Sequence, residues 1–416
     1  MKTSFPKDKI KAVLVEGVHP CGVEMLEAEG FKVTALPKSP APAELKKLVK
    51  DAHLLGIRSK TEVTPEILEA APRLLAVGCF CIGTNQVALS RAGGAGVPVF
   101  NSPYSNTRSV AELTLGEILA LYRKLADTSS AMHRGEWVKS AKGSHEVRGR
   151  TLGIVGYGHI GSQISILAEA LGMRVIFYDV LPKLALGNAR PVRSLDALLG
   201  EADVVTLHVP ATAATKGLIG KAQIRAMKPG AMLINNARGS VVDLEALADA
   251  LRTGKLGGAA LDVFPDEPAG NDEKFVSVVQ GLPNVILTPH IGGSTLEAQA
   301  SIAEDVCTKL VRFVNNGSTT GAVNVPEVEL PEQNRGDSKG NTVRRHRILH
   351  FHRNVPGVLS KMHTVISGLK VNVDAEYLQT NKDVGYVVLD VAPTDAQSLM
   401  KGLREIPETI RARMLW

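Results

Sequence analysis

Cysteine is scarce in this chain. Cys21, Cys79, Cys81 and Cys307 are all there is in 416 residues. They form no C-x-x-C pair, and their spacing fits neither a zinc site nor a disulfide framework, so a reducing, cytoplasmic setting is expected. No run of eighteen uncharged apolar residues occurs, and the lysine-bearing stretch Met1 to Ile10 has no apolar core of the signal-peptide kind. Neither a membrane span nor export is therefore expected. Charge of one sign is also thin on the ground: 48 basic against 42 acidic residues leave +6. No lysine- or arginine-rich run is interleaved with aromatics, and Arg344-Arg345-His346-Arg347 is too short to count, so small anions are expected as ligands ahead of nucleic acid. The length exceeds what one core usually holds and predicts two or three domains.

What is present is organised around Gly153-Ile154-Val155-Gly156-Tyr157-Gly158-His159-Ile160-Gly161. Thr151 to Val155 reads as a short buried strand, the glycines follow at G-x-G-x-x-G spacing, and apolar periodicity continues through Ile164, Leu167 and Leu171 as a helix. A second strand, Arg174 to Tyr178, ends in Asp179, eighteen residues past Gly161. That is where a βαβ dinucleotide unit keeps its ribose-binding acid. Glycines let the backbone approach a pyrophosphate, and the helix amino-terminus faces its charge. Asp179 would repel a 2′-phosphate, so NAD is expected over NADP.

Around this unit, short apolar strands alternate with helical patterns. Ahead of it come Ala12 to Val15, Lys32 to Leu36, Leu54 to Ile57, Leu74 to Val77 and Val97 to Phe100; after it come Val204 to His208, Met232 to Asn235, Ala259 to Val263 and Val285 to Thr288. Such alternation predicts parallel sheets with helices on both faces and ligands at the carboxyl ends of the strands. Arg58 and Lys60 fall at such an end and suit an anion; Lys139, beyond the loop containing Trp137, can reach a phosphate. Trp137 is read either as a subunit contact or as intrachain core. Asn106 to Arg134 reads as one long helix and Thr295 to Asn315 as another, so the chain crosses twice and the amino-terminal domain closes near Ala322-Val323-Asn324. Pro326 to Asn341 is linker-like in composition. His346 to Trp416 then reads strand, helix, strand, strand, helix, strand, a ferredoxin-like sandwich added as a module, with its first helix over Val355 to Ile366.

Three residues at the ends of the later strands suit alcohol oxidation: Arg238, Glu267 and His290. A base of near-neutral pKa must take the hydroxyl proton, which fits His290. A carboxylate on the imidazole would orient it and favour its protonated form, the role given to Glu267. Arg238 can clamp a carboxylate or a carbonyl oxygen with its planar fork.

The run Val77 to Val87, the loop Gly156 to Gly161, Asn236-Ala237-Arg238-Gly239, Asp262-Val263-Phe264 with Glu267-Pro268, and Thr288 to Thr295 together resemble the D-2-hydroxyacid dehydrogenase family. The match is to its shorter bacterial branch, which oxidises 3-phospho-D-glycerate and ends in an ACT domain. The resemblance implies an α/β fold of two doubly wound, Rossmann-like domains plus a ferredoxin-like ACT domain. Residues 1–105 with 295–328 would bind substrate, 106–294 would bind NAD, 329–343 would link and 344–416 would regulate. It implies Arg238, Glu267 and His290 as catalytic residues. Gly156, Gly158, His159, Ile160, Gly161, Asp179, Asn236, Ala237, Arg238, Asp262, His290, Ile291, Gly292 and Gly293 would line NAD. Arg58, Lys60, Gly83, Asn106 and Lys139 would meet 3-phosphoglycerate. The tail stretch His350 to Leu359 implies L-serine as a feedback effector held across paired ACT domains by His352, Asn354 and Asn372, in a homotetramer. The linker Gln333 to Arg345 is longer than usual for this branch, and Arg353 stands where relatives often carry an acid. Reduction of 2-oxoglutarate is implied as a side activity, and a non-catalytic NAD-sensing corepressor of the same fold is the alternative.

Overall fold

The structure, a computed structural model, describes residues 5–268, 272–331 and 345–415. They fall into two compact units, Met1–Ser105 with Gln299–Trp416, and Asn106–Ala298.

In the first unit, strands β1 (Lys11–Leu14), β2 (Lys32–Ala35), β3 (Leu54–Ile57), β4 (Ala76–Cys79) and β5 (Val99–Asn101) form a parallel sheet in the order β2-β1-β3-β4-β5. Strands β3 and β4 bury every residue, as a parallel sheet covered on both faces requires. The helix Leu296–Asn316 lays Ile302, Val306, Leu310 and Phe313 into the same core as Leu14, Phe80 and Phe100. The following segment closes on the sheet edge, where Ala322 bridges Phe100 and the Asn324 side chain accepts from the Val99 N–H at 2.8 Å.

The second unit holds β6 (Thr151–Val155), β7 (Arg174–Tyr178), β8 (Arg190–Pro191), β9 (Val204–Leu207), β10 (Ala231–Asn235), β11 (Leu256–Leu261) and β12 (Val285–Leu287). Their order is β12-β11-β10-β9-β6-β7-β8, all parallel. The order reverses between β6 and β9, which opens a crevice at the carboxyl ends of those strands, where doubly wound sheets bind ligands. The expected helix over 106–134 is two: Thr107–Arg123 and Leu125–His133, broken at Lys124 in the left-handed conformation (φ 50°). The apolar stripe ends at Leu121 and Tyr122, and the second helix buries nothing, so no packing extends the first. Trp137, beyond it, is 79% exposed, which removes the intrachain-core reading.

The tail forms β13 (His346–Arg353), β14 (Val373–Thr380), β15 (Val384–Val391) and β16 (Thr409–Leu415), an antiparallel sheet in the order β14-β15-β13-β16 with helices Val358–Gly368 and Ala396–Arg404. Its first helix starts three residues later than the sequence predicts. Pro356 disfavours a helical residue before it, and Gly357 enters the helix at φ 90°. One sheet face meets these helices through Ile348, Val387 and Leu389. The other, through Leu349, Phe351, Tyr386 and Val388, joins the core of the first parallel sheet. Polar ties run along that seam. Arg413 donates to the Phe313 carbonyl at 2.8 Å, the Tyr386 hydroxyl to that of Gly317 at 2.6 Å, and Arg411 to that of Leu74. Fully buried Arg347 pairs with Asp390 at 2.6 and 2.7 Å and donates to the carbonyls of Asn316 and Pro331. Of the linker-like stretch Pro326 to Asn341, Val328 and Leu330 prove to be core residues; from 332 on, that stretch and the expected linker lie outside the described residues.

Candidate active site

In the second unit the glycine loop joins β6 to the helix His159–Ala170. Gly156 has φ 93°, and a β-carbon there would stand 2.3 Å from the His208 carbonyl oxygen, so only glycine fits. At Gly158, by contrast, nothing stands within 4 Å of where a side chain would begin, and no side chain caps the helix. That open helix start is a cradle a pyrophosphate can approach. Asp179, just past β7, accepts from the Tyr157 N–H at 2.8 Å and the Leu181 N–H at 2.9 Å. Its carboxylate is thus fixed beside the loop with lone pairs left for ribose hydroxyls. His208, at the end of β9, bonds Thr206 through Nε2 at 2.8 Å; burial pulls its pKa down to about 3 and keeps the ring neutral. These residues fit NAD.

Past β12 the chain turns sharply at His290, whose φ of 55° is rare for a residue with a side chain. Asp262, just past β11, holds this turn. Its carboxylate accepts from the Thr288 hydroxyl at 2.6 Å, the Ile291 N–H at 2.8 Å and the Gly292 N–H at 2.7 Å. Asn106 packs its amide against Gly293. His290 Nδ1 lies 2.8 Å from a Glu267 oxygen, and the other Glu267 oxygen accepts from the Phe264 N–H at 3.0 Å. The ionised carboxylate accepts a hydrogen bond from Nδ1–H, which keeps the proton on that nitrogen and leaves Nε2 as the basic one. The bond from Glu267 raises the His290 pKa against the opposing pull of burial. Burial pushes Glu267 up, yet its bonds to His290 and Phe264 outweigh this and hold it below the ordinary carboxylate range. Arg238 adds positive charge to both groups. Gly239 makes that proximity possible: a β-carbon there would lie 1.9 Å from the Phe264 carbonyl carbon, so the arginine turn rests directly on the loop leading to Glu267.

Sequence reasoning missed a buried polar network behind this site. The Asn236 amide donates to Glu117 at 2.7 Å and to the Thr114 hydroxyl at 3.0 Å, whose own proton goes to Val110. Glu117 is 3% exposed, and burial pushes its pKa up to about 7, helped by the charge of Asp262. The signal was available, since Glu117 follows Val110 by seven residues and Thr114 by three on the apolar stripe of its helix.

In the first unit, Arg58 and Lys60 follow β3, with Gly83 after β4. Sequence reasoning also missed Glu16, past β1. Its carboxylate accepts from the N–H groups of Arg58 at 3.1 Å, Lys60 at 3.0 Å and Thr61 at 2.7 Å. Lys139 is exposed on the segment after the helix Leu125–His133.

In the tail, His352 is 3% exposed and stacks on His350 with ring centres 5.5 Å apart. Asn354 donates to the Asn381 carbonyl at 2.7 Å and Asn372 to Asp374 at 3.0 Å. The sheet register aligns His352 with Gly385 and Thr380, and His346 with Val391 and Val373. Asn372 therefore lies at the opposite end of the sheet from His352 and Asn354, and one copy of the tail does not bring the three together.

Residues 115–292 match the family model of the D-isomer specific 2-hydroxyacid dehydrogenase, NAD binding domain, and residues 348–411 that of the AHAS small subunit-like ACT domain. The chain is 55% identical to a D-3-phosphoglycerate dehydrogenase of Haemophilus influenzae, covering 100% of this chain and 99% of the relative. It is 50% identical to that of Escherichia coli K12, with both chains covered in full. Among solved structures it resembles D-lactate dehydrogenase of Aquifex aeolicus complexed with NAD and lactic acid. The TM-score is 0.63 and the identity 30%, over 73% of this chain and 95% of that one. No helix among the described residues is long and apolar enough to cross a membrane. The chain belongs to the D-3-phosphoglycerate dehydrogenases, NAD-dependent oxidoreductases of the D-isomer specific 2-hydroxyacid dehydrogenase family.

Proposed function

We propose that this chain oxidises 3-phospho-D-glycerate at C2 to 3-phosphohydroxypyruvate, the first step of the phosphorylated route to L-serine. The observation that carries this reading is the His290–Glu267 pair at 2.8 Å beside Arg238, past the carboxyl ends of the same parallel sheet whose β6 leads into a glycine loop that fits NAD. His290 Nε2 takes the proton of the C2 hydroxyl, and the carboxylate of Glu267 favours the imidazolium so formed. Arg238 clamps the substrate carboxylate and the oxygen that becomes a carbonyl. NAD, when bound, would supply the acceptor for the hydride that leaves C2. Gly156, Gly158, His159, Ile160, Gly161, Asp179, Asn236, Ala237, Asp262, Ile291, Gly292 and Gly293 hold and orient it. Arg58, Lys60 and Lys139 take the phosphate, with Gly83 and Asn106 as further substrate contacts. His290 then releases its proton to solvent, which completes the loss of one hydride and one proton from the alcohol.

L-serine is the proposed feedback effector, and 2-oxoglutarate, whose second carboxylate suits the cations that take phosphate, a proposed side substrate. The ACT match supports an amino-acid effector. The placement of Asn372 away from His352 and Asn354 favours a site shared by two copies. A homotetramer is proposed, and the exposure of Trp137 (79%) and Val138 (70%) supports a subunit contact at that segment. The test is to mix purified protein with NAD and 3-phosphoglycerate at alkaline pH and follow NADH absorbance. Turnover is expected; NAD binding without turnover would overturn the reading in favour of a corepressor.

A further inference from the structure

We infer that Glu16 is a positioning residue, whose carboxylate locks the loop Arg58–Thr61 so that side chains alone, those of Arg58 and Lys60, are left to meet the substrate phosphate. This rests on the phosphate role proposed for those two residues. Glu16 sits just past β1 with φ 65°, in the left-handed region that residues with a side chain rarely adopt. Its own N–H and that of Gly17 donate to the carbonyls of Lys38 and Leu36, which holds the bend. The bend points the carboxylate at three N–H groups of one loop, those of Arg58, Lys60 and Thr61. From the other side, the Gln86 amide donates to the Arg58 carbonyl at 2.7 Å and also reaches Gly83 at 3.2 Å. The loop is thus gripped on its donor face by a charge and on its acceptor face by an amide.

Three converging backbone donors form the kind of concavity that binds anions elsewhere. Here the chain fills it with its own carboxylate. A substrate phosphate cannot use those donors, and recognition passes to the guanidinium of Arg58 and the ammonium of Lys60. Two effects of Glu16 oppose one another. Its charge repels a nearby phosphate, whereas its three charge-assisted hydrogen bonds hold the cationic side chains on a fixed backbone. The loop is only half-buried at Arg58 and exposed at Ser59 and Lys60. The Gln86 amide, the Thr61–Ser39 hydroxyl pair and the Arg58 bond to the Glu16 carbonyl also tie it, yet the Glu16 carboxylate alone takes three of its N–H groups, so the grip outweighs the repulsion.

The test compares Glu16→Ala, Glu16→Gly, Glu16→Gln and Arg58→Ala in steady-state kinetics, with melting temperatures recorded for each. Glu16→Ala is expected to raise KM for 3-phosphoglycerate about tenfold while KM for NAD stays within about twofold. Glu16→Gly, which relieves the strained φ but removes the carboxylate, is expected to behave like Glu16→Ala. Glu16→Gln keeps one oxygen for part of the grip and is expected to fall between Glu16→Ala and the parent. It keeps the test decisive if Glu16→Ala is unstable. An unchanged or lowered KM for 3-phosphoglycerate in the Glu16 variants overturns the inference. So does a fall in melting temperature with both KM values moving together. Arg58→Ala separates the two layers: an unchanged KM there overturns the phosphate reading itself, whereas a raised KM beside an unchanged one in Glu16→Ala overturns the positioning role alone.

Discussion

Glu267→Gln keeps an acceptor oxygen beside His290 Nδ1 and removes the charge. At the observed 2.8 Å, the attraction between carboxylate and imidazolium is about 1.5 kcal/mol in bulk water and about 6 kcal/mol at an effective dielectric of 20. The side chains are 52% and 36% exposed, so solvent screening brings the net value to the low end, about 1 kcal/mol. That attraction favours the imidazolium, so losing it should lower the His290 pKa. The sign follows from the chemistry. Glu267 raises the His290 pKa by favouring the protonated ring. Alcohol oxidation needs the ring neutral, so the rate falls as pH drops through that pKa. Removing the charge must move the acid limb of kcat/KM toward lower pH. The plateau should fall as well, by about a hundredfold, because the glutamine amide can turn its NH2 to Nδ1 and stabilise the wrong tautomer. Initial rates of NADH formation across the pH range, at saturating NAD, measure both effects. A lowered plateau with an unmoved limb would refute the electrostatic role, and a limb moved to higher pH would refute the assignment of His290 as the base.

Gly239→Ala must displace the Phe264 backbone, 1.9 Å from the added carbon, and turnover should fall about a hundredfold while fluorescence titration shows a smaller loss of NAD affinity. For Glu117, the folded pKa of about 7 lies above the unfolded value, so the buried acid lowers stability progressively as pH rises from the ordinary carboxylate range through 7. The stability of Glu117→Gln relative to the parent should therefore improve by about 1–3 kcal/mol between pH 5 and pH 8, as melting curves would show. A pH-independent gap would contradict the raised pKa. Asp390→Ala removes the buried carboxylate that faces Arg347 and should cost about 3–5 kcal/mol, measured by denaturant unfolding, whereas the double change Arg347→Met with Asp390→Leu should cost far less.

The features legible in the sequence are those whose cause is local. The loop Gly156 to Gly161 carries its own turn and helix start, and Asp179 needs only to follow β7 to reach it. His290 and Glu267 were legible as residue types at strand ends, and the structure adds their bond. Glu16 was not legible, because its role arises from a left-handed bend and from a loop some forty residues away. Glu117 defeats the rule that charges stay outside, and only the helical period exposes it. The break at Lys124 follows from a lack of packing beyond Tyr122, which propensity does not register. The tail did offer a hint. Val384 to Val391 is apolar on both alternating faces, and a sheet covered on one side only would show polar residues on the other.

That doubly covered sheet bears on how the chain can be cut. An enzyme freed of feedback is usually sought by truncation, on the view that a regulatory tail is cargo on a string. Here Phe351, Tyr386, Leu349 and Val388 are partners of Phe100 and Phe313, and Arg413 and Tyr386 satisfy carbonyls at the end of the helix Leu296–Asn316. Removing the tail would strip a catalytic chain of part of its own interior and leave a sticky, unsatisfied surface. If the tail carries the proposed effector site, point changes at sheet ends such as Asn354 and Asn372 would test it while leaving that shared interior intact, which a shorter gene would not.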